Sequence, residues 1–155
     1  MAKISPLMVT EMVTANPDET VAEVAKRMSA RQVGAVLVLE NGTLRGLFSE
    51  RDLLTRVVAE GRDPVATRVG FVATREVVTV DVNAPLKTVL GVFQEKRFRH
   101  LPVVDGGKPV GILSTRDLLA YLVEGCERCI DESKYKRDLA EGLDTYDHLG
   151  GSYGR

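Results

Sequence analysis

The sequence has few of the residues that mark secreted, membrane-spanning or nucleic-acid-binding proteins. It contains no tryptophan, two cysteines and two histidines among its 155 residues. Two cysteines cannot build a disulfide framework, and no apolar run reaches the roughly 18 residues that span a bilayer. The formal charge of −1 lacks the basic excess of a nucleic-acid-binding domain. We therefore expect a chain that binds neither a membrane nor nucleic acid.

Enzyme motifs are also missing. The chain has no Gly-x-x-x-x-Gly-Lys-Ser/Thr loop, no Gly-x-Gly-x-x-Gly and no His-Glu-x-x-His. Neither His100 nor His148 has a nucleophile at a known spacing, so we predict that the protein is not an enzyme. The segment Met1 to Pro6 lacks the apolar core of a secretion signal, which leads us to expect a cytoplasmic location.

The chain does contain an internal repeat with an offset of 65 residues. Gly46-Leu47-Phe48-Ser49-Glu50-Arg51-Asp52 returns as Gly111-Ile112-Leu113-Ser114-Thr115-Arg116-Asp117. The same offset carries Val13-Thr14 onto Val78-Thr79 without a gap. Apolar residues at helical spacing coincide as well, since Val21, Val24, Ala25 and Met28 fall on Leu86, Val89, Leu90 and Phe93.

Each copy predicts a strand, a helix, two strands joined by a tight turn, and a second helix. In the first copy the strands are expected near 12–15, 35–39 and 44–48, with Asn41-Gly42 as the hairpin turn. Its helices are expected from about 20 to 31 and from 50 to a stop at Gly61. In the second copy the strands are expected near 77–80, 101–104 and 110–113, and the helices end near 97 and at Gly125. Residues 4–8 could add one apolar helical turn.

The repeated Ser-x-x-Asp lies where a strand turns into a helix, which leaves two interpretations. In one, the hydroxyl and the carboxylate form a capping box that satisfies the free N–H groups of the first helical turn. In the other, the corner cradles a nucleotide, with the hydroxyl donating to a phosphate and the carboxylate accepting from a ribose diol. The repetition of the corner in register favours the second interpretation.

The chain resembles a tandem pair of CBS domains, the cystathionine beta-synthase regulatory repeat. The resemblance covers about Ile4 to Val123 and rests on GAVLVLENGTLRGLFSERDLL in the first copy and RHLPVVDGGKPVGILSTRDLL in the second. It implies an α+β fold of two βαββα repeats related by a pseudo-twofold axis, with a cleft on each side. We expect a first repeat at 1–62, a second at 63–125 and a partly helical or flexible tail at 126–155.

The two repeats differ at the edge of their middle strand, where only the second is basic. Lys96-Arg97-Phe98-Arg99-His100 stands opposite Arg31-Gln32-Val33-Gly34-Ala35. The basic run is either a solvated turn or a phosphate-binding edge. In CBS pairs that bind adenine nucleotides, side chains at this edge reach the phosphate while the Asp of the other repeat holds the ribose. The resemblance then implies a first-choice cleft formed by Ser49, Asp52, Val77, Val78, Thr79, Arg99 and His100.

The second cleft would combine Ser114 and Asp117 with Val13 and Thr14, facing the uncharged Gly34 and Ala35. It could hold a less charged adenosine compound or stay empty. Thr14 and Thr79 could equally be ordinary strand residues.

Cys126-x-x-Cys129 supplies only two of the four ligands of a structural zinc site. Two copies in a dimer could complete such a site, but a pair of reduced cysteines in a cytosolic protein is the simpler interpretation. In the tail, Tyr135, Leu139, Leu143 and Tyr146 form a thin apolar stripe that is compatible with a marginal helix.

Besides metal or redox sensing through Cys126 and Cys129, two functional hypotheses follow. In the first, the protein is a regulatory module that binds an adenosine-containing ligand, with AMP or ATP first among AMP, ADP, ATP and S-adenosylmethionine, and reports its occupancy to an effector protein. In the second, the clefts are vestigial and the module serves as a scaffold. The family implies a homodimer under both. The first hypothesis also predicts that Asp52→Ala weakens nucleotide binding and leaves the fold largely intact.

Overall fold

The computed structural model describes residues 4–96 and 98–129, with side chains described as far as Cys126. The chain divides into two compact units, one ending at Leu118 and one beginning at Leu119. The first unit contains both sheets and the whole of the two Ser-x-x-Asp corners.

The first repeat has the expected βαββα order. Its elements are β1 (Thr14–Ala15), α1 (Val21–Arg31), β2 (Ala35–Glu40), β3 (Thr43–Ser49) and α2 (Glu50–Asp52), which continues as a π-helix (Leu53–Val58). The sheet order is β1-β2-β3, with β1 parallel and β3 antiparallel to β2. Asn41 and Gly42 both have positive φ, as a type I′ hairpin requires.

The second repeat follows a short linker helix. The elements are α3 (Val69–Val72) in the linker, then β4 (Val80–Asp81), α4 (Leu86–Lys96), β5 (His100–Asp105), β6 (Lys108–Ser114) and α5 (Thr115–Cys129). The sheet order β4-β5-β6 repeats the first one, including the parallel first pair and a register shift at the same place in the hairpin.

The linker packs against the first repeat. Val69, Val72 and Ala73 are buried in the same apolar cluster as α1, β2 and the π-helix. The carbonyl groups of Thr67 and Pro64 accept from the first amides of α1, which have no partner inside their own helix. The linker therefore supplies hydrogen-bond acceptors to the start of α1 and apolar side chains to the first core. The predicted boundary between residues 62 and 63 stays a prediction.

Each sheet is closed at one edge by a segment that belongs to the other repeat. Thr74, which precedes β4, exchanges two backbone hydrogen bonds with Leu47 of β3. Val9, which precedes β1, makes the equivalent pair with Ile112 of β6. The two bridges are related by the 65-residue offset, as the pseudo-twofold arrangement requires.

The repeated glycine of the motif permits this exchange. A Cβ on Gly46 would lie 3.0 Å from the carbonyl oxygen of Thr74, and a Cβ on Gly111 would lie 2.8 Å from Sδ of Met8 and 3.1 Å from the carbonyl oxygen of Val9. Both glycines are thus explained by the close approach of the crossing strand segment.

Several predicted bounds were wrong. The strand expected at 77–80 begins only at Val80 and runs to Asp81. Helix α5 continues through Gly125 to Cys129, since one glycine costs a helix only about 1 kcal/mol. Where one apolar helical turn was expected, residues 4–7 do form a turn, closed by the Leu7 amide donating to the Ile4 carbonyl. The π-helix and α3 were not predicted.

Candidate functional site

The Ser-x-x-Asp motif from Ser49 to Asp52, at the junction of β3 and α2, is called the first corner, and that from Ser114 to Asp117 the second. A cavity of about 340 Å³ lies between the first corner and the start of β5. Its walls combine apolar side chains with hydroxyl, cationic and acidic groups. The lining residues are Leu47, Ser49, Arg51, Asp52, Thr55, Arg56, Thr74, Glu76, Val77, Val78, Phe98, Arg99, His100 and Pro102. A cavity of this size falls at the lower end of the range of small-molecule sites.

The first corner is a complete capping box. The hydroxyl and the backbone N–H of Ser49 donate to Oδ2 of Asp52 at 2.7 and 2.9 Å, and the Asp52 amide returns a hydrogen bond of 3.4 Å to the Ser49 hydroxyl. Asp52 is only 7% exposed. The capping interpretation therefore holds for this corner, and Asp52 nevertheless contributes to the cavity wall.

The second oxygen of the Asp52 carboxylate is held from outside the corner. The Thr74 hydroxyl donates to Oδ1 at 3.3 Å, and Nε of Arg56 lies 3.4 Å from the same atom. Arg56 also donates through Nη1 to the carbonyl of Val72 at 3.0 Å. The carboxylate and the guanidinium thus both connect the corner to the linker segment 72–74.

The basic edge of the second repeat forms another part of the cavity wall. Arg99 and His100 both line the cavity, and the His100 ring lies against Gly34, where a Cβ would be 3.0 Å from Cε1. Burial lowers the pKa of His100, Arg99 and Arg116 lower it further, and Glu50 and Asp117 oppose the shift. These surroundings therefore favour the neutral form of His100 more than water does.

The structure brings six of the seven residues of the first-choice cleft into one cavity; Thr79 is exposed and does not line it. Sequence reasoning missed the other eight lining residues, which are Leu47, Arg51, Thr55, Arg56, Thr74, Glu76, Phe98 and Pro102. Arg56 lies four residues after Asp52, a spacing that pairs opposite charges on a helix and could have identified it. Thr74 could not be found in this way, because it reaches the corner through the exchange between repeats.

The polar groove beside β1 is lined by only two of the four residues of the second cleft. Val13 and Thr14 line a polar groove with Glu19, Arg27 and Arg31, whereas Ser114 and Asp117 do not. The second corner does form the same box, with the Ser114 hydroxyl donating to Oδ2 of Asp117 at 2.5 Å. Within the described residues, Oδ1 of Asp117 accepts no hydrogen bond.

The cysteine pair, the tail and the possibility of a membrane-spanning helix were considered in the sequence as well. Cys126 is exposed on α5, the Cys129 side chain lies outside the described residues, and the described part has no group of three metal-binding side chains. His148 and the predicted tail stripe from Tyr135 to Tyr146 lie outside the described residues. In the described part, no helix has the length and apolar character needed to cross a membrane.

Comparison with known proteins places the chain in a family. The sequence model of the CBS domain matches residues 4–59 and 69–124. The chain is 35% identical over 118 residues to the CBS domain-containing protein YhcV of Bacillus subtilis, covering 76% of this chain and 84% of YhcV. It is 32% identical to CBSCBSPB2 of Arabidopsis thaliana, where 83% of this chain spans only 24% of the longer plant protein.

Solved structures give the same result. An uncharacterized conserved protein from Pyrococcus horikoshii matches with a TM-score of 0.74 and 31% identity over 77% of this chain and 91% of its own. The hexameric CBS-CP12 protein of bloom-forming cyanobacteria matches with a TM-score of 0.71 and 25% identity over 99% of this chain and 91% of its own. Two matches of the family model, two sheets of one topology and two boxed corners at one offset identify the chain as a tandem pair of the CBS-domain family.

Proposed function

We propose that this tandem CBS pair is a regulatory module that binds an adenosine-containing ligand, AMP, ADP, ATP or S-adenosylmethionine, in the cavity beside the first corner. The observation that supports this most is the composition of that cavity. Apolar side chains of Val77 and Val78 offer a wall for a base, while Arg99 and His100 of the second repeat offer donors for a phosphate.

The ligand would act by connecting parts of the chain that are contributed separately. Its base and ribose would lie against the first corner and the linker, and its phosphate against the edge of β5. A ligand that contacts both repeats stabilises the arrangement in which they face one another. The occupancy of the cavity would then be reported to a partner, such as an effector protein, through the relative position of the repeats.

Calorimetric titration of the protein with the four ligands, each in turn, tests this proposal. Arg99→Ala is expected to weaken a phosphorylated ligand on the order of tenfold or more, because a hydrogen bond to a charged group is lost. Arg45→Ala is the matched control, since Arg45 pairs with Glu40 in the β2–β3 hairpin and does not line the cavity. Failure of all four ligands to bind the unmodified protein would overturn the proposal.

The scaffold hypothesis has one observation in its favour. Both carboxylates of the repeated motif cap their own helices, which is what a corner without a ligand needs. Thermal unfolding with and without the four ligands separates the hypotheses, because a ligand at a hundred times its Kd stabilises the folded state by about 2.7 kcal/mol. The absence of any shift favours a scaffold.

Self-association is part of the proposal under either hypothesis. Leu54 and Val58 are 61% and 63% exposed on the π-helix, and the residues 65 positions later, Leu119 and Val123, are exposed on α5. Large apolar side chains that are exposed side by side on one helix, as Leu54 and Val58 are, favour contact with a partner surface. We expect a homodimer, and light scattering of Leu54→Glu should show a shift toward monomer.

A further inference from the structure

Arg56 occupies a place in the first corner that the second corner does not reproduce. The equivalent position, 65 residues later, is Tyr121, which carries no charge. Arg56 lines the cavity, and its side chain is still 43% exposed although it contacts both Asp52 and the Val72 carbonyl. The cation is therefore specific to the first cleft and accessible from it.

The carboxylate of Asp52 has one oxygen that a new donor can reach. Oδ2 is occupied by two short hydrogen bonds from Ser49. The contacts at Oδ1, from the Thr74 hydroxyl and Arg56 Nε, are longer, at 3.3 and 3.4 Å. Contacts at this distance are weaker than those near 2.8 Å, so a ribose diol that binds Asp52 would enter at Oδ1 and replace them.

We propose that Arg56 makes the first cleft selective for phosphorylated adenosine compounds over adenosine itself, an inference that rests on the function proposed above. When the diol donates to Oδ1, Arg56 loses its contact with Asp52. A guanidinium has five N–H donors in a planar fork, so Arg56 keeps the Val72 carbonyl and turns its other nitrogen toward the phosphate. The ligand's phosphate thereby becomes the anionic partner of Arg56 in place of the Asp52 carboxylate, which now binds the ribose.

Adenosine cannot make this replacement. It offers the same diol and the same base, but it leaves the Arg56 guanidinium without an anionic partner in a partly enclosed site, which costs binding free energy. The alternative role for Arg56 is purely structural, as a connection between the π-helix and the linker. In that case its loss would weaken AMP and adenosine by the same factor.

The test measures the ratio of the AMP and adenosine affinities by calorimetry for the full chain. Arg56→Gln should lower this ratio on the order of ten- to a hundredfold, mainly by weakening AMP, with adenosine bound no more weakly than before. Arg56→Lys keeps the charge but not the fork, and should give an intermediate ratio. Arg45→Gln, a cation outside the cavity, should leave the ratio unchanged.

Three results would overturn the inference. An equal loss for AMP and adenosine in Arg56→Gln would make the residue structural, and AMP and adenosine affinities that both equal those of the unmodified protein would remove Arg56 from ligand binding. If the unmodified protein binds neither compound nor the other adenosine ligands, the proposed function fails together with the inference. Since Arg56→Lys keeps the positive charge beside Asp52, its ratio remains informative if the glutamine variant does not fold.

Discussion

The two Ser-x-x-Asp corners are alike in backbone and differ in what surrounds them. Both form a capping box at the end of a hairpin strand. Asp52, however, is also held by Thr74 and Arg56, whereas the equivalent positions around Asp117 carry Val9 and Tyr121. The comparison teaches that the repeated motif specifies the turn and the cap, while the chemistry of each cleft depends on residues outside the motif.

The largest expected effect breaks the exchange that brings Thr74 to the first corner. Gly46→Val places a branched side chain where even a Cβ lies 3.0 Å from the Thr74 carbonyl, and overpacking of this kind costs about 1 to 3 kcal/mol. A Cβ on Gly111 would meet the Val9 carbonyl almost as closely, at 3.1 Å, but its nearest contact is the flexible Met8 side chain, so Gly111→Val should cost somewhat less. Urea unfolding of both variants measures the difference. Equal costs would show that the crossing segment yields as easily in the first repeat as in the second.

Removing the two carboxylates compares the corners directly. Asp52→Ala deletes a buried acceptor of four donor groups and should cost about 1 to 3 kcal/mol of unfolding free energy. Asp117→Ala removes a cap in a less buried corner and should cost about 1 kcal/mol. Both values come from denaturant unfolding. The buried position thus adds a stability cost to Asp52→Ala that the sequence did not predict, so Asp52→Asn is the better variant for binding studies.

Thr74→Val makes the first corner resemble the second, where Val9 stands at this place. The substitution removes one hydrogen bond of 3.3 Å and keeps the shape of the side chain, so we expect a loss of about 0.5 to 1 kcal/mol. The same unfolding measurement applies. A larger loss of unfolding free energy would mean that the Thr74 side chain stabilises the crossing segment by more than one hydrogen bond. Val9→Thr is the reciprocal variant in the second repeat.

The smallest effect concerns pH and His100, which the first repeat replaces by Ala35. Because the pKa of His100 in the folded chain lies below its ordinary value of 6.5, the unfolded chain binds the proton more readily. Folding stability is therefore complete above pH 6.5 and falls as the pH drops from there toward the folded pKa. His100→Gln should remove the contribution of this one histidine to the loss of stability at low pH. Thermal unfolding of both proteins between pH 7.5 and 5 measures that contribution.

Local signals carried much of the fold. Asn41-Gly42 predicted the hairpin because both residues adopt positive φ easily. The turn before α1 was expected to hold the helix cap, and Thr20 and Glu23 form a capping box there. The 65-residue offset predicted the second repeat from the first. These features are determined by residues that are close in the sequence, and periodicity and capping patterns detect interactions of that kind.

The features that were missed depend on distant residues. Nothing local marks Val69 to Val72 as a helix; its residues are placed by the first core, into which Val69 and Val72 are buried. The π-helix at Leu53–Val58 has the same apolar pattern as the regular helix α5. In the site, Thr74 reaches Asp52 through a backbone pairing between repeats, and no spacing in the sequence reports such a pairing.

The reciprocal pairing of Thr74 with Leu47 and of Val9 with Ile112 also bears on what one half of this chain could do by itself. A lone half would expose the outer rim of its third strand, with N–H and C=O groups open to any extended peptide. A second molecule could supply the missing segment in the same way that the sister half does here. In the intact chain the two halves are covalently linked, so each strand and its pairing segment are present at a high effective concentration. Two separate polypeptides would have to meet by diffusion to make the same contact.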